Sequence, residues 1–182
     1  MPTEKVSIVP YDPRWPAEFR DTGMVIRTTL RDVALRVDHI GSTAVPGLDA
    51  KPVIDIQISV QSLEPVDLYR IPLEELGYRF RLANPERTKR YFREPPGQRR
   101  THIHVRRAGS WAEQFALLFR DYLRAHREEA ARYAAIKYRL AEEFSTDRRA
   151  YTEAKASYVW EIMRKADGWS QVVGWQPGEP DL

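Results

Sequence analysis

Residues 39–58 read HIGSTAVPGLDAKPVIDIQI, and the two halves of this stretch have different characters. In the second half, continued to Val60, Ile54, Ile56, Ile58 and Val60 fall on one side, while Asp55, Gln57 and Ser59 fall on the other. Successive side chains of a strand point to opposite faces, so residues 53–60 are expected to form a strand with one apolar face and one polar face bearing a carboxylate. The first half follows a shorter strand, residues 36–40, with a Gly-Ser-Thr turn. A glycine before a small hydroxyl residue exposes backbone N–H groups that can hold a phosphate oxygen. Gly41 and Ser42 are therefore candidate anion-binding residues, with the Ser42 hydroxyl as a further donor. Asp55 is then placed to hold a divalent cation against the same phosphate. Lys51 lies in the loop between, where its ammonium can reach a bound anion or simply be solvated.

Upstream, VSIVPYDPRWP (residues 6–16) carries three prolines and should be extended and docked. A helix is expected from about 15 to 35, with Pro16 in its first turn and Phe19, Met24, Ile26, Leu30 and Val33 as an imperfect apolar face. Downstream, a helix over about 65–76 should stop at Gly77, and strands are expected at 78–82, 90–93 and 101–107. Ser110 and Glu113 then form a capping box ahead of Trp111, Phe115, Leu118, Phe119 and Tyr122, which share a helical face. Two more helices are expected over about 128–144 and 147–166, and the tail after Gly168 should be frayed or loosely attached through Trp169 and Trp175. This order of elements reads as an α+β fold, with an N-terminal helix, a mixed or antiparallel sheet and a C-terminal helical subdomain. The expected division is an α/β core over 1–109, a helical subdomain closing a cleft over 110–168, and a tail over 169–182.

A chain of 182 residues can bury roughly two thirds of the surface it exposes when unfolded, so it needs no staple. With no cysteine, disulfides and thiolate chemistry are excluded, in keeping with a reducing compartment. The opening MPTEK is not a basic start before an apolar run, and no apolar stretch nears the ~20 residues that span a bilayer. A cytoplasmic location without membrane association is expected. The net charge of +3 points to no partner, but residues 79–107 hold ten basic side chains against Glu86 and Glu94. Such a field attracts phosphates and other anions, unless the arginines merely alternate outward on exposed strands.

His102 and His104 are two apart on an expected strand, so both face the same way, opposite Ile103 and Val105. Beside Asp55 they would make two imidazoles and a carboxylate, a set suited to Zn²⁺, Mn²⁺ or Fe²⁺ more than to Mg²⁺. They are equally equipped to bind an anion or to move protons near neutral pH. Arg90 and Arg93 precede them, and either can clamp a carboxylate or phosphate through two hydrogen bonds. Tyr133 and Lys137 share one helical face. A serine-hydrolase triad of Ser42, His39 and Asp55 is set aside, since residues so close in sequence rarely form one.

HIGSTAVPGLDAKPVIDIQI closely resembles the signature of the GrpB family, as do VPYDPRWP, RYF, THIHV, FRDYLRAH, YAAIK and YTEAK in the same order along nearly the whole chain. The resemblance implies a nucleotidyltransferase-like fold. That wider superfamily pairs a Gly-Ser loop with a strand carrying carboxylates at i and i+2 and a third on a later strand. Here Asp55 matches the first position, Gln57 stands at the second, and THIHV contains no acid. By the same resemblance Tyr133, Lys137 and Lys155 would close the cleft over a bound triphosphate.

The leading expectation is an enzyme of nucleotidyltransferase-like type, binding a nucleotide or another phosphorylated or acidic small molecule between sheet and helices. A divalent metal (Mg²⁺, Mn²⁺ or Zn²⁺) on Asp55 would assist transfer, with Gly41, Ser42, Lys51, Gln57 and the helix lysines around the substrate. Two alternatives stand: an anion-binding module that has lost the chemistry, as Gln57 suggests, and a transition-metal enzyme built on Asp55, His102 and His104. Phe80, Tyr91 and Phe92 in the basic span can stack bases, but the balanced overall charge argues against nucleic acid as the partner.

Overall fold

A computed structural model describes residues 5–182. Residues 1–4, on which the reading of a missing leader peptide rests, lie outside the described residues.

Helix α1 (Trp15–Leu30) starts with proline in its first turn and buries Trp15, Phe19, Gly23, Ile26 and Leu30. It stops short of the expected residue 35 because Arg31 turns to φ +48°, and a 3₁₀ turn (Arg31–Val33) leads into the sheet. Met24 lies off the stripe of Phe19, Gly23, Ile26 and Leu30 and faces solvent. The sheet comprises β1 (Arg36–Ile40), β2 (Ile54–Val60), β3 (Arg79–Phe80), β4 (Lys89–Arg93) and β5 (Thr101–Arg107), in the order β1-β2-β5-β4-β3. β2 and β5 run parallel, and the other pairs are antiparallel, so the sheet is mixed. Helix α2 (Asp67–Glu75) occupies the connection between β2 and β3.

Alternation decides which face each side chain takes. Ile54, Ile56, Ile58, Phe92, Ile103 and Val105 point to one face, where they form a core with Trp15, Phe19, Ile26 and Leu30 of α1 and Tyr69 and Leu73 of α2. Each large apolar side chain so buried contributes about 1.5–3 kcal/mol.

Over the opposite face lie α3 (Trp111–Ala125), α4 (Arg127–Glu143) and α5 (Arg148–Val173). Ser110 caps α3 by accepting the Glu113 N–H, while the Glu113 carboxylate reaches one residue further back than a capping box requires, to the Gly109 N–H at 2.6 Å. The helices share a second core of Leu118, Phe119, Leu123, Tyr133, Ile162 and Met163, into which the 41–53 loop inserts Val45 and Leu48. α5 continues through Gly168 to Val173, past the expected end near 166, and closes on Gly174 in the left-handed conformation. One exposed glycine weakens a helix by only about 1 kcal/mol, which packing on α3 and α4 outweighs. The remaining tail is docked: Trp175 Nε1 donates to Asp121 at 3.1 Å, and Leu182 exchanges backbone hydrogen bonds with Val37 at 3.1 and 3.3 Å. At the other end, Val9 bridges Ala50 and the Val6 N–H donates to Ser145, as the proline spacing requires of an extended segment. Among the described residues no helix is long and apolar enough to cross a membrane.

Ile103 is fully buried in the middle of the sheet core. Ile103→Ala is expected to lower unfolding free energy by about 2–5 kcal/mol, read by urea denaturation.

Candidate metal centre

The site is a consequence of strand register. Parallel pairing sets Asp55 beside His102 and Gln57 beside His104, while antiparallel pairing sets Tyr91 beside His104 and Arg93 beside His102. All these residues lie on the polar face. His102 Nδ1 and His104 Nε2 each come within 3.2 Å of Asp55 Oδ1. One donor atom from each residue lies within 4.8 Å of the others, making the three a potential metal-ligand group. The group is sheltered yet accessible, with side-chain exposures of 26% for Asp55 and 14% for each histidine.

Burial pushes the Asp55 carboxyl up, but hydrogen bonds from His102 and His104 outweigh it and hold the group well below the usual carboxylate range. Burial pushes the His104 imidazole down, and the nearby Asp55 charge offsets only part of that. The state near neutral pH is therefore a carboxylate facing at least one neutral ring, whose Nε2 can serve a cation once its proton moves to Nδ1. His102 Nε2 and His104 Nδ1 are buried without a hydrogen-bond partner among the described residues. Tyr91 packs against both imidazoles, with ring centroids 5.6 and 5.2 Å away. Burial pushes its phenol up to about 12, so it keeps its proton as a donor.

Gly41 brings the 41–53 loop to this group. Its φ is +72°, and a Cβ there would lie 2.8 Å from Asp55 Oδ2, so only glycine fits both the backbone and the space. Ser42 begins a 3₁₀ turn (Ser42–Ala44) in which the Ala44 and Val45 N–H groups bond the carbonyls of Gly41 and Ser42. Those two donors are thus spent inside the turn, which narrows the loop's capacity to hold a phosphate. The loop is clamped from the helical side. Arg124 Nε donates to the Ala44 carbonyl at 2.9 Å, Lys137 Nζ donates to the Asp49 carbonyl, and the Tyr138 hydroxyl donates to the Asp49 carboxylate at 3.0 Å.

Other candidates take different places. Gln57 is completely buried and its amide donates to the Glu113 carbonyl at 3.3 Å. Arg90 projects from the apolar side of β4 and pairs with Glu64 at 2.6 Å. Arg93 is on the site's face, held by both oxygens of Glu94 at 3.0 and 2.7 Å. Lys51 and Lys155 lie against the Tyr151 ring, 3.8 and 5.9 Å from its centre. Tyr133 and Lys137 are buried in the helical layer, with the ammonium 4.8 Å from the Tyr133 ring centre, so neither lines an open cleft. Phe80 and Phe92 pack together on the core side, 5.0 Å apart, leaving Tyr91 alone of the three aromatics on the open face. His39 belongs to the core as well: it stacks on Phe19 at 4.7 Å, bonds Thr43 Oγ1 at 3.0 Å, and is pushed by burial down to about 4. Sequence reasoning missed a buried network behind the site. Asp38, fully buried, is paired with Arg36 at 3.0 Å, and Arg120 binds Asp181 at 2.9 Å and the His39 carbonyl at 3.1 Å. The signal available was the pair Arg36 and Asp38, two apart in RVDHI and so on the same side of the strand.

The model of the family described as GrpB protein matches residues 5–165. The chain belongs to the GrpB family. A UPF0157 protein of Pseudomonas aeruginosa is 42% identical over 167 residues, covering 90% of this chain and 68% of that protein. Another, from Halalkalibacterium halodurans, is 38% identical over 163 residues, covering 89% and 83%. The crystal structure of the conserved protein GrpB from Enterococcus faecalis superposes with a TM-score of 0.81 at 32% identity, covering 88% of this chain and 96% of that one. Terminal uridylyl transferase 4 from Trypanosoma brucei, with bound CTP, superposes with a TM-score of 0.51 at 17% identity, covering 91% and 58%. The α+β fold of this GrpB chain is thus nucleotidyltransferase-like; that last likeness carries the fold alone.

Two expectations follow from the packing. Gly41→Ala forces a positive φ on alanine and drives its methyl into Asp55, which should lower stability by about 1–3 kcal/mol in thermal or urea unfolding. Burial pushes Lys137 down to about 7 from the 10.5 of a free lysine, with Lys155 adding to the effect and Asp49 opposing it. Between those values the unfolded chain binds the extra proton, so stability rises with pH. Measured against Lys137→Met, the unmodified protein should gain unfolding free energy from about pH 7 to pH 10.

Proposed function

We propose that this GrpB chain binds a nucleotide or another phosphorylated or acidic small molecule over Asp55, His102 and His104, and that these three side chains hold one divalent cation there. The observation that carries the reading is the convergence of His102 Nδ1 and His104 Nε2 on Asp55 Oδ1 at 3.2 Å, under the Gly41 turn.

The donor set fits a borderline cation. Two imidazoles and one carboxylate match Zn²⁺, Mn²⁺ or Fe²⁺, and the neutral state of His104 favours ligation. It does not fit a pair of Mg²⁺ ions, which need concentrated carboxylate oxygens. Gln57 stands where a second acid would be required; its amide N–H donates to the Glu113 carbonyl, and its Oε1 has no hydrogen-bond partner among the described residues. Such a cation, when bound, neutralises developing charge on a phosphoryl or carboxyl group. The chain's own residues supply the rest. Asp55 anchors the group, Tyr91 offers a phenolic proton to an anionic substrate atom, and Gly41 lets the backbone approach. Transfer of a nucleotidyl or related group is the reaction class that this fold and site support.

Elemental analysis of the purified protein should find close to one Zn, Mn or Fe per chain, and Asp55→Asn or His102→Ala should lose most of it. Titration calorimetry with nucleoside triphosphates, with and without Mn²⁺, tests the ligand. Folded protein that takes up neither metal nor nucleotide would sink the proposal. The burial of Gln57 favours a second reading, a binding module without turnover. Binding that survives complete metal removal, with no product after long incubation, would select it.

A further inference from the structure

The polar face of the sheet continues past the metal-ligand group to the β3 edge. Arg93 stands beside His102, and Arg79 directly opposite Arg93, so Asp55, His102, Arg93 and Arg79 form one row across four strands. Arg81 follows along the same edge, its N–H bonded to the Tyr91 carbonyl at 2.8 Å. These arginines and Arg100 line a hollow of about 360 Å³, whose far wall is the 94–98 turn.

Like charges placed directly opposite one another across two strands are destabilising. The fold nevertheless sets Arg79 against Arg93, and the hollow's lining contains one acid, Glu94. Both Glu94 oxygens are taken by Arg93, and one also accepts the Thr101 N–H at 3.2 Å. This holds the Arg93 guanidinium in a set orientation but leaves the charge of Arg79 and Arg81 unanswered. Neither makes an ion pair with a described residue, and both are exposed. Further along the same face the bases are matched: Lys89 pairs with Glu86 at 2.7 Å, and Arg106 approaches the same acid at 3.5 Å. The excess of positive charge is therefore local to the end of the row that begins at Asp55.

We propose that this hollow is a second anion subsite, taking a phosphate or short phosphate chain of the molecule whose reacting group lies over Asp55, His102 and His104. The inference rests on the preceding reading of that group and deepens it to a substrate class. Neighbouring strands lie about 4.8 Å apart, which sets Arg93 roughly 10 Å from Asp55 across the sheet. The substrate is then an elongated molecule whose phosphate sits roughly that far from the group being transformed. Guanidinium forks suit phosphate oxygens, and several converging arginines suit a multiply charged anion better than a lone carboxylate.

The test uses the full chain, freed of metal, titrated calorimetrically with inorganic pyrophosphate. The double variant Arg79→Ala/Arg81→Ala removes two exposed side chains and should keep its melting temperature. Its pyrophosphate affinity is expected to fall about tenfold or more, while metal uptake stays unchanged. An affinity within about twofold of the unmodified protein overturns the subsite, as does sulfate binding as tightly as pyrophosphate. His102→Ala/His104→Ala should lose metal and keep pyrophosphate. Should that variant and the unmodified protein both prove metal-free while the arginine variant still loses pyrophosphate, the metal reading fails and the subsite stands.

Discussion

The parallel pairing of β2 with β5 in a single register is the constraint on which the rest of the structure depends. It sets Asp55 beside His102 and Gln57 beside His104. Because side chains alternate along a strand, a slip of one residue would carry Asp55 into the apolar core and Ile54 or Ile56 onto the polar face. The register is held by the apolar side: Ile54, Ile56, Ile58, Ile103 and Val105 are all buried against α1 and α2. The core that stabilises the fold therefore also aligns the carboxylate with the imidazoles. A core mutation that loosened this pairing would disturb the site without touching it.

The second determinant is the 41–53 loop, held between the two cores. Val45 and Leu48 enter the helical core, Arg124, Lys137 and Tyr138 grip its backbone and Asp49, and Gly41 meets the Asp55 carboxylate. A loop this closely held presents its turn to the site in one geometry. The same packing explains the fates of Tyr133 and Lys137. Both side chains are buried under the loop, and burial, with Lys155 adding to it, lowers the proton affinity of Lys137.

Charge on the polar face is graded. Buried acids and bases near β1 are matched: Asp38 with Arg36, and Arg120 with Asp181 and Asp121. Matching is the condition for burying such groups, since an unpaired buried charge is strongly disfavoured. Toward β3 the matching stops, and exposed arginines face solvent beside a conformationally fixed Arg93. In a protein with an overall charge of only +3, this asymmetry concentrates positive potential at one end of the sheet.

The sequence by itself determined the elements and the faces. Alternation in VIDIQISV and THIHV put Asp55, Gln57 and Ser59 opposite the isoleucines of one central strand, and His102 and His104 opposite Ile103 and Val105 of the other, because the period of two is local. The Gly-Ser turn, the serine cap of α3 and the proline start of α1 were legible for the same reason. Helix ends were less so: the backbone reversal at Arg31 has no residue-level signature, and the run of α5 through Gly168 depends on packing against α3 and α4. Only the tertiary structure decided which strands are neighbours. Alternation sets Arg90 and Arg93 on opposite faces of β4, but nothing local says which of them meets the site, or distinguishes His39, sealed against Phe19, from His102 and His104. A histidine or an arginine acquires its chemistry from what the sheet order and helix packing bring within a few ångströms, and those contacts join residues that are far apart along the chain.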